Sequence, residues 1–240
     1  GTLLGKLPNV DELDFRDKEM SSAALEQFLQ AALEQFVQAS QEFTSLKKLY
    51  LGGNISLLAS PEGGRALGRL LSSAPDLEEL SIWNMGATTE SLEALRAEAS
   101  QEFTSLKKLD LGGNRRLLAS SEGGRALGRL LSSAPDLEEL SIGYTGATNK
   151  SLEALRAEAS QEFTSLRELY LGDNDGLLAS PEGGRALGRL LSSAPNLEEL
   201  SIWDTGLTKE SLEALRAEAS QEFTSLKKLD LDVNTSLLAS

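Results

Sequence analysis

The side chains best suited to acid–base chemistry here are adjacent carboxylates: Glu78 and Glu79, Glu138 and Glu139, Glu198 and Glu199. Two carboxyls held close together can divide the roles of general acid and general base. Each pair, however, sits in the same LEEL motif, and consecutive residues of an alternating strand point to opposite faces. An active site is a single constellation in a perturbed environment, not a motif returning along the chain. Histidine and cysteine are both absent, which removes the usual neutral-pH base, Ser-His dyads, thiolate ligands and disulfides together. No enzyme is expected, and no cofactor.

Two further motifs invite a ligand. DNDG at Asp173 to Gly176, with Glu182 beyond it, matches part of a calcium loop, but Leu171 stands where the first ligand belongs. Gly63 and Gly64 near a helix start suggest phosphate binding, yet the chain lacks GxxxxGK[ST] and any dinucleotide fingerprint. Close helix packing explains the glycines better, and no metal site is expected.

A formal charge of -14 and a pI near 4.6 disfavour nucleic acid and anionic membrane surfaces, both of which need a basic footprint. A basic protein surface suits the chain better. No apolar run approaches the ~18 residues of a membrane span, and GTLLGKLPNV has no signal-peptide pattern. The compartment is left open; a natural chain of this kind is expected in the cytoplasm.

The elements that must position any site come from an internal repeat. SLEALRAEASQEFTSL recurs letter for letter at Ser91 to Leu106, Ser151 to Leu166 and Ser211 to Leu226. The chain divides into an N-terminal capping unit, 1–45, three double repeats, 46–105, 106–165 and 166–225, and a partial repeat, 226–240. All are read as one solenoid, since repeat arrays grow by addition. Each double repeat has a first-type half, LKKLYL leading through GGN to PEGGRALGRLLSSAP, and a second-type half, LEELSI leading through a glycine turn to SLEALRAEAS.

The apolar period is two in LxxLxL and three to four in the helical segments, at Leu92, Leu95 and Ala99 for example. Ser60, Pro61 and Glu62 read as N-cap, first helical residue and first-turn acid; Thr88 reads as the second cap, and Pro75 as a stop. Strands sit about 4.8 Å apart and helices need about 8–10 Å, so such a stack curves with strands on the inside. The fold class is α/β: a right-handed horseshoe with parallel strands on the concave face and helices on the convex face.

LKKLYLGGN, LKKLDLGGN, LRELYLGDN and LKKLDLDVN resemble the LxxLxLxxN signature of leucine-rich repeats, and the two alternating types resemble the ribonuclease-inhibitor-like subfamily. The resemblance implies that Asn54, Asn114, Asn174 and Asn234 form a ladder whose amides bond backbone in the turns. Met85, Thr145 and Thr205 replace asparagine in the second-type halves, and the lack of cysteine departs from natural ribonuclease inhibitors. No partner identity carries over.

Both ends differ from the repeat. The segment carrying AALEQF at Ala23 and again at Ala31 reads as a lengthened helix shielding the first coil, or as a coiled-coil-like partner surface. The last repeat stops at LLAS with no polar cap written, so a homo-oligomer through that strand edge is a further expectation.

Alternation points the third, fifth and seventh positions of LxxLxLx toward the concave face. The third-position column runs Glu12, Lys48, Glu79, Lys108, Glu139, Glu168, Glu199, Lys228: a solvated ladder of alternating charge that Glu168 interrupts. Tyr50 and Trp83 on neighbouring strands recur as Tyr170 and Trp203 four strands on, roughly 19 Å away. The unit between has Asp110 and Gly143, with Tyr144 shifted one place. The candidate partner-binding residues are therefore Tyr50, Trp83, Tyr144, Glu139, Glu168, Glu199, Tyr170, Trp203 and Asp204. A non-enzymatic scaffold, engineered from idealised repeats and binding protein on this face, accounts for the near-identity of the units. A natural intracellular recognition module and a building block that assembles through its ends are the alternatives.

Overall fold

The computed structural model describes residues 10–24, 27, 45–99, 101–219 and 223–237. The AALEQF duplication falls almost wholly outside them. Among the described residues eight strands form one parallel sheet in chain order: β1 Glu12–Asp14, β2 Lys48–Tyr50, β3 Glu79–Ser81, β4 Lys108–Asp110, β5 Glu139–Ser141, β6 Glu168–Tyr170, β7 Glu199–Ser201 and β8 Lys228–Asp230. The helices opposite are α1 Pro61–Ser72, α2 Thr89–Glu98, α3 Ser121–Leu131, α4 Asn149–Glu158, α5 Pro181–Ser192 and α6 Lys209–Glu218.

Register never slips, because the central leucine of each strand must enter the core. Leu13, Leu49, Leu80, Leu109, Leu140, Leu169, Leu200 and Leu229 pair in sequence across the sheet. Each regular strand is three residues, shorter than the LxxLxL pattern. The ladder nonetheless runs further: Leu51 N–H donates to the Ser81 carbonyl and Gly53 N–H to that of Trp83, both at 2.9 Å.

Leu92, Leu95, Ala99, Phe103 and Leu106 of the invariant stretch are buried between sheet and helices. The glycine pair is explained by close packing. A Cβ on Gly64 would stand 2.0 Å from the Ser91 carbonyl oxygen and one on Gly63 1.7 Å from that of Leu57, so α1 rests backbone-to-backbone on its neighbours.

Capping matches the sequence at one helix and departs from it at the other. Thr88 Oγ1 accepts from Ser91 N–H at 3.2 Å, and Ser91 Oγ accepts from Thr88 N–H at 2.9 Å, a reciprocal box. Ser60 has the extended N-cap backbone but makes no side-chain cap bond; its hydroxyl is engaged by the Glu62 carboxylate. Where Ser121 replaces the proline, Ser120 Oγ does accept from Gly123 N–H, at 3.3 Å.

Candidate functional site

The turns after the strands are built by the asparagine ladder. Buried Asn114 receives Met85 N–H at 3.0 Å and Ala87 N–H at 2.9 Å on Oδ1, while Nδ2 donates to the carbonyls of Ile82 at 3.0 Å and Leu111 at 2.7 Å. Asn174 and Asn234 repeat the arrangement, and Asn54 bonds the first coil through Met20 N–H and the Phe15 carbonyl. Thr145 and Thr205 send their hydroxyls to the Ile142 and Ile202 carbonyls. Among the described residues no buried side-chain polar atom lacks a partner, so the turns are rigid supports for what they display.

On the concave face, the third-position charges pair as their alternation requires. Lys48 lies 3.1 Å from Glu79, Lys108 2.9 Å from Glu139, and Lys228 2.5 Å from Glu199. Register sets Glu139, Glu168 and Glu199 side by side on β5, β6 and β7. The outer two hold lysines. The middle one accepts the Tyr170 hydroxyl at 2.6 Å from two places along its own strand. In the first unit, where the alternation is intact, Tyr50 instead donates across strands to Glu79 at 2.6 Å.

These contacts move the titrations. Burial first, then the hydrogen bond to Glu79, pushes the Tyr50 phenol up to about 12. Burial, the bond to Glu168 and the neighbouring Glu199 and Glu139 push Tyr170 up as well. Burial acts to raise Glu79, but the Tyr50 hydroxyl and the Lys48 ammonium outweigh it and hold that carboxyl below its ordinary value. Both tyrosines are half-buried, leaving Trp83, Tyr144 and Trp203, at 46%, 36% and 37% exposure, as the exposed large aromatics among the described residues.

Those three occupy the rim where strands enter turns. The Trp203 indole lies against Gly172, whose place a Cβ would fill at 2.0 Å from Nε1, and the Trp83 ring rests over Gly112 and Gly113. Tyr144 adopts a left-handed backbone, φ 55°, disfavoured for a bulky residue, and its ring stacks under the Arg115 guanidinium at 4.3 Å. Asp173 and Asp204 are left-handed too. Burial, then Asp204 and Asp175, push the Asp173 carboxyl up, with Arg115 opposing.

The structure thus gathers Glu139, Glu168, Glu199 and Tyr170 on adjacent strands, with Trp203 and Asp204 on the rim beside them. Tyr50 and Trp83 stand apart on β2 and the turn after β3, and Tyr144 joins Arg115. Arg115 is the contributor that pattern reading missed. It follows the ladder asparagine where other units carry Ile55, Asp175 and Thr235, and that variability is the signal. Among the described residues no cluster of carboxylates could hold a metal ion, and no helix is long and apolar enough to cross a membrane.

Two-type coils, an in-register leucine column and an asparagine ladder define a leucine-rich-repeat solenoid. No protein-family model matches the chain, and no curated protein matches it. Among solved structures it is similar to TLR13 in a complex with ssRNA13, at 17% identity and a TM-score of 0.46, over 80% of this chain and 23% of that one. It is also similar to the leucine-rich repeat-containing protein LegL7 from Legionella pneumophila, at 17% identity and a TM-score of 0.43, over 91% of this chain and 81% of that one.

Proposed function

We propose that the chain is a non-enzymatic recognition scaffold whose concave face at β5 to β7 takes a cationic protein surface. The observation that carries this is Glu168. It sets three carboxylates abreast where every other pair of neighbouring strands alternates in sign, and its one side-chain partner among the described residues is a hydroxyl rather than a cation. Repulsion among them is relieved when a lysine or arginine of a partner enters, while Trp203 and Tyr144 offer apolar area at small rotamer cost. Immobilised peptides of graded charge test it: basic peptides retain the chain and acidic ones do not, and Glu168→Lys abolishes the retention. Equal retention of both charge classes, or an unaffected variant, contradicts it.

The identical core and helices, against substitutions confined to display positions such as Tyr50, Asp110 and Tyr170, suit an array engineered from one idealised unit. A natural intracellular recognition module of recently duplicated repeats is the alternative, and finding the coding sequence within a host genome decides for it. A second reading, a building block associating through its ends, is favoured by Leu229. It is 48% exposed, whereas its counterpart Leu200 is 4% exposed.

A further inference from the structure

Resting on that second reading, we propose what meets the β8 edge of this 240-residue chain: strand β1 of a second copy, parallel and in register, so that the solenoid continues from one chain into the next. Three independent features of the two edges fit one another.

The first is the backbone. Every step from a first-type to a second-type strand repeats one set of hydrogen bonds. Between β2 and β3, the Lys47 carbonyl accepts from Glu78 and Glu79 N–H at 2.8 and 2.9 Å, Leu51 N–H donates to Ser81, and Gly53 N–H donates to Trp83. Between β4 and β5 the set is Lys107 with Glu138 and Glu139, Leu111 with Ser141, and Gly113 with Gly143. Between β6 and β7 it is Arg167 with Glu198 and Glu199, Leu171 with Ser201, and Asp173 with Trp203. On β8 the corresponding Lys227 carbonyl and the N–H groups of Leu231 and Val233 have no partner among the described residues. On the outer edge of β1 the same holds for the N–H groups of Asp11 and Glu12 and the carbonyls of Asp14 and Arg16. LKKLDL around β8 is first-type and VDELDF around β1 is second-type, so the two edges supply the two halves of the repeating set.

The second is charge. At two of the three internal steps a basic pair on the first-type strand faces an acidic pair on the second: Lys47 to Glu78 at 3.2 Å, Lys48 to Glu79 at 3.1 Å, Lys107 to Glu138 at 3.8 Å and Lys108 to Glu139 at 2.9 Å; at the third, Arg167 meets Glu198 at 3.5 Å and Glu168 stands in place of the second lysine. β8 presents Lys227 and Lys228, and β1 presents Asp11 and Glu12. One mismatch accompanies this: Asp230 would face Asp14. Arg16, 2.6 Å from Asp14, neutralises that contact.

The third is apolar surface. Beneath β8 an open cleft of about 710 Å³ is lined by Leu212, Leu215, Phe223, Leu226, Leu229 and Leu231, whereas the spaces between internal coils hold about 20 Å³. Leu13, Phe15 and Met20 of the β1 coil are only partly buried. A head-to-tail contact of this kind is heterologous: it leaves one edge of each type free after every addition, giving open chains of copies, or rings where the rotation closes.

Two measurements test the partner separately from the association. Light scattering of the wild-type chain over a hundredfold concentration range is expected to show a mass rising above 25.7 kDa; a constant single-chain mass overturns both this proposal and the end-to-end reading. The chain has no cysteine, so Asp14→Cys/Asp230→Cys places one thiol on each edge. Neighbouring strands about 4.8 Å apart lie within disulfide reach. Oxidation is expected to give a ladder of covalent multimers, with the single variants going no further than dimers. Association without a ladder overturns the β8-to-β1 register while leaving end-to-end assembly standing. As a check independent of the thiols, Lys227→Glu/Lys228→Glu and Asp11→Lys/Glu12→Lys are each expected to remain single chains, confirmed folded by circular dichroism, and to associate when mixed. Failure of the folded mixture to associate also overturns the register.

Discussion

Replacing Glu168 by lysine is expected to stabilise the protein while removing the proposed binding of cationic surfaces. In the structure Glu168 is flanked at sheet register by Glu139 and Glu199. A lysine there restores the alternation seen from Glu12 to Glu139. Two cross-strand contacts change from repulsive to attractive, at about 0.5 kcal/mol either way for partly exposed charges, a swing of about 2 kcal/mol. The Tyr170 hydroxyl loses its acceptor, at a cost of about 1 kcal/mol, leaving a net gain of about 1 kcal/mol. Urea unfolding followed by circular dichroism measures this as an upward shift in midpoint with unchanged slope. The Tyr170 phenol, relieved of its carboxylate partner, should titrate at lower pH than in the wild type. A glutamate kept for packing or local bonding predicts the opposite stability change, so a variant destabilised by more than about 0.5 kcal/mol refutes the reasoning.

Other parts of the structure make their own predictions. Asn114→Ala strands the buried N–H groups of Met85 and Ala87 and should cost about 2–6 kcal/mol by chemical denaturation, with hydrogen exchange accelerated at those two amides; unchanged protection there contradicts the ladder. Gly64→Ala drives a Cβ into the Ser91 carbonyl, and a melting temperature within experimental error of the wild type would show that α1 does not rest on α2 as described. For Tyr50, the folded phenol is raised from the ordinary ~10 to about 12. Its stabilising contribution is therefore complete below about pH 10 and is lost as pH rises through 12. Absorbance of tyrosinate in Tyr50→Phe against wild type should show the missing phenol titrating near 12, and its ionisation near 10 instead would contradict the Glu79 bond.

The fold was legible because each level of sequence pattern pointed the same way. Leucines at period two, alanines and leucines at period three to four, and Thr88, Pro75 and the ladder asparagines each had one physical reading, and near-identical units repeated it. What stayed hidden depended on side-chain choice among partners. Ser60 has the right type and place for a cap yet makes no cap bond, and neither does Ser180; both precede a proline, whereas Ser120, followed by Ser121, does cap. Third, fifth and seventh positions could be assigned to one face by alternation. That Tyr50 reaches across to Glu79 while Tyr170 bonds along its own strand follows from the residue two places before each tyrosine, Lys48 in one strand and the acceptor Glu168 in the other. Arg115 over Tyr144 and the indole of Trp203 over Gly172 are contacts between turns of different coils, and LxxLxL periodicity carries no information about them.

The chain's two tryptophans allow the central claim, that recognition resides at β5 to β7 rather than evenly along the concave face, to be read in one titration. Trp83→Phe and Trp203→Phe each leave a single indole, and each is titrated with an arginine-rich nonapeptide while fluorescence is followed at low and physiological salt. The expected result is a saturable, salt-sensitive change from Trp203, weakened about tenfold or more by Glu168→Lys, equivalent to about 1.4 kcal/mol, with Trp83 silent. Equal responses from both indoles, or a Trp203 response indifferent to Glu168→Lys, would contradict it.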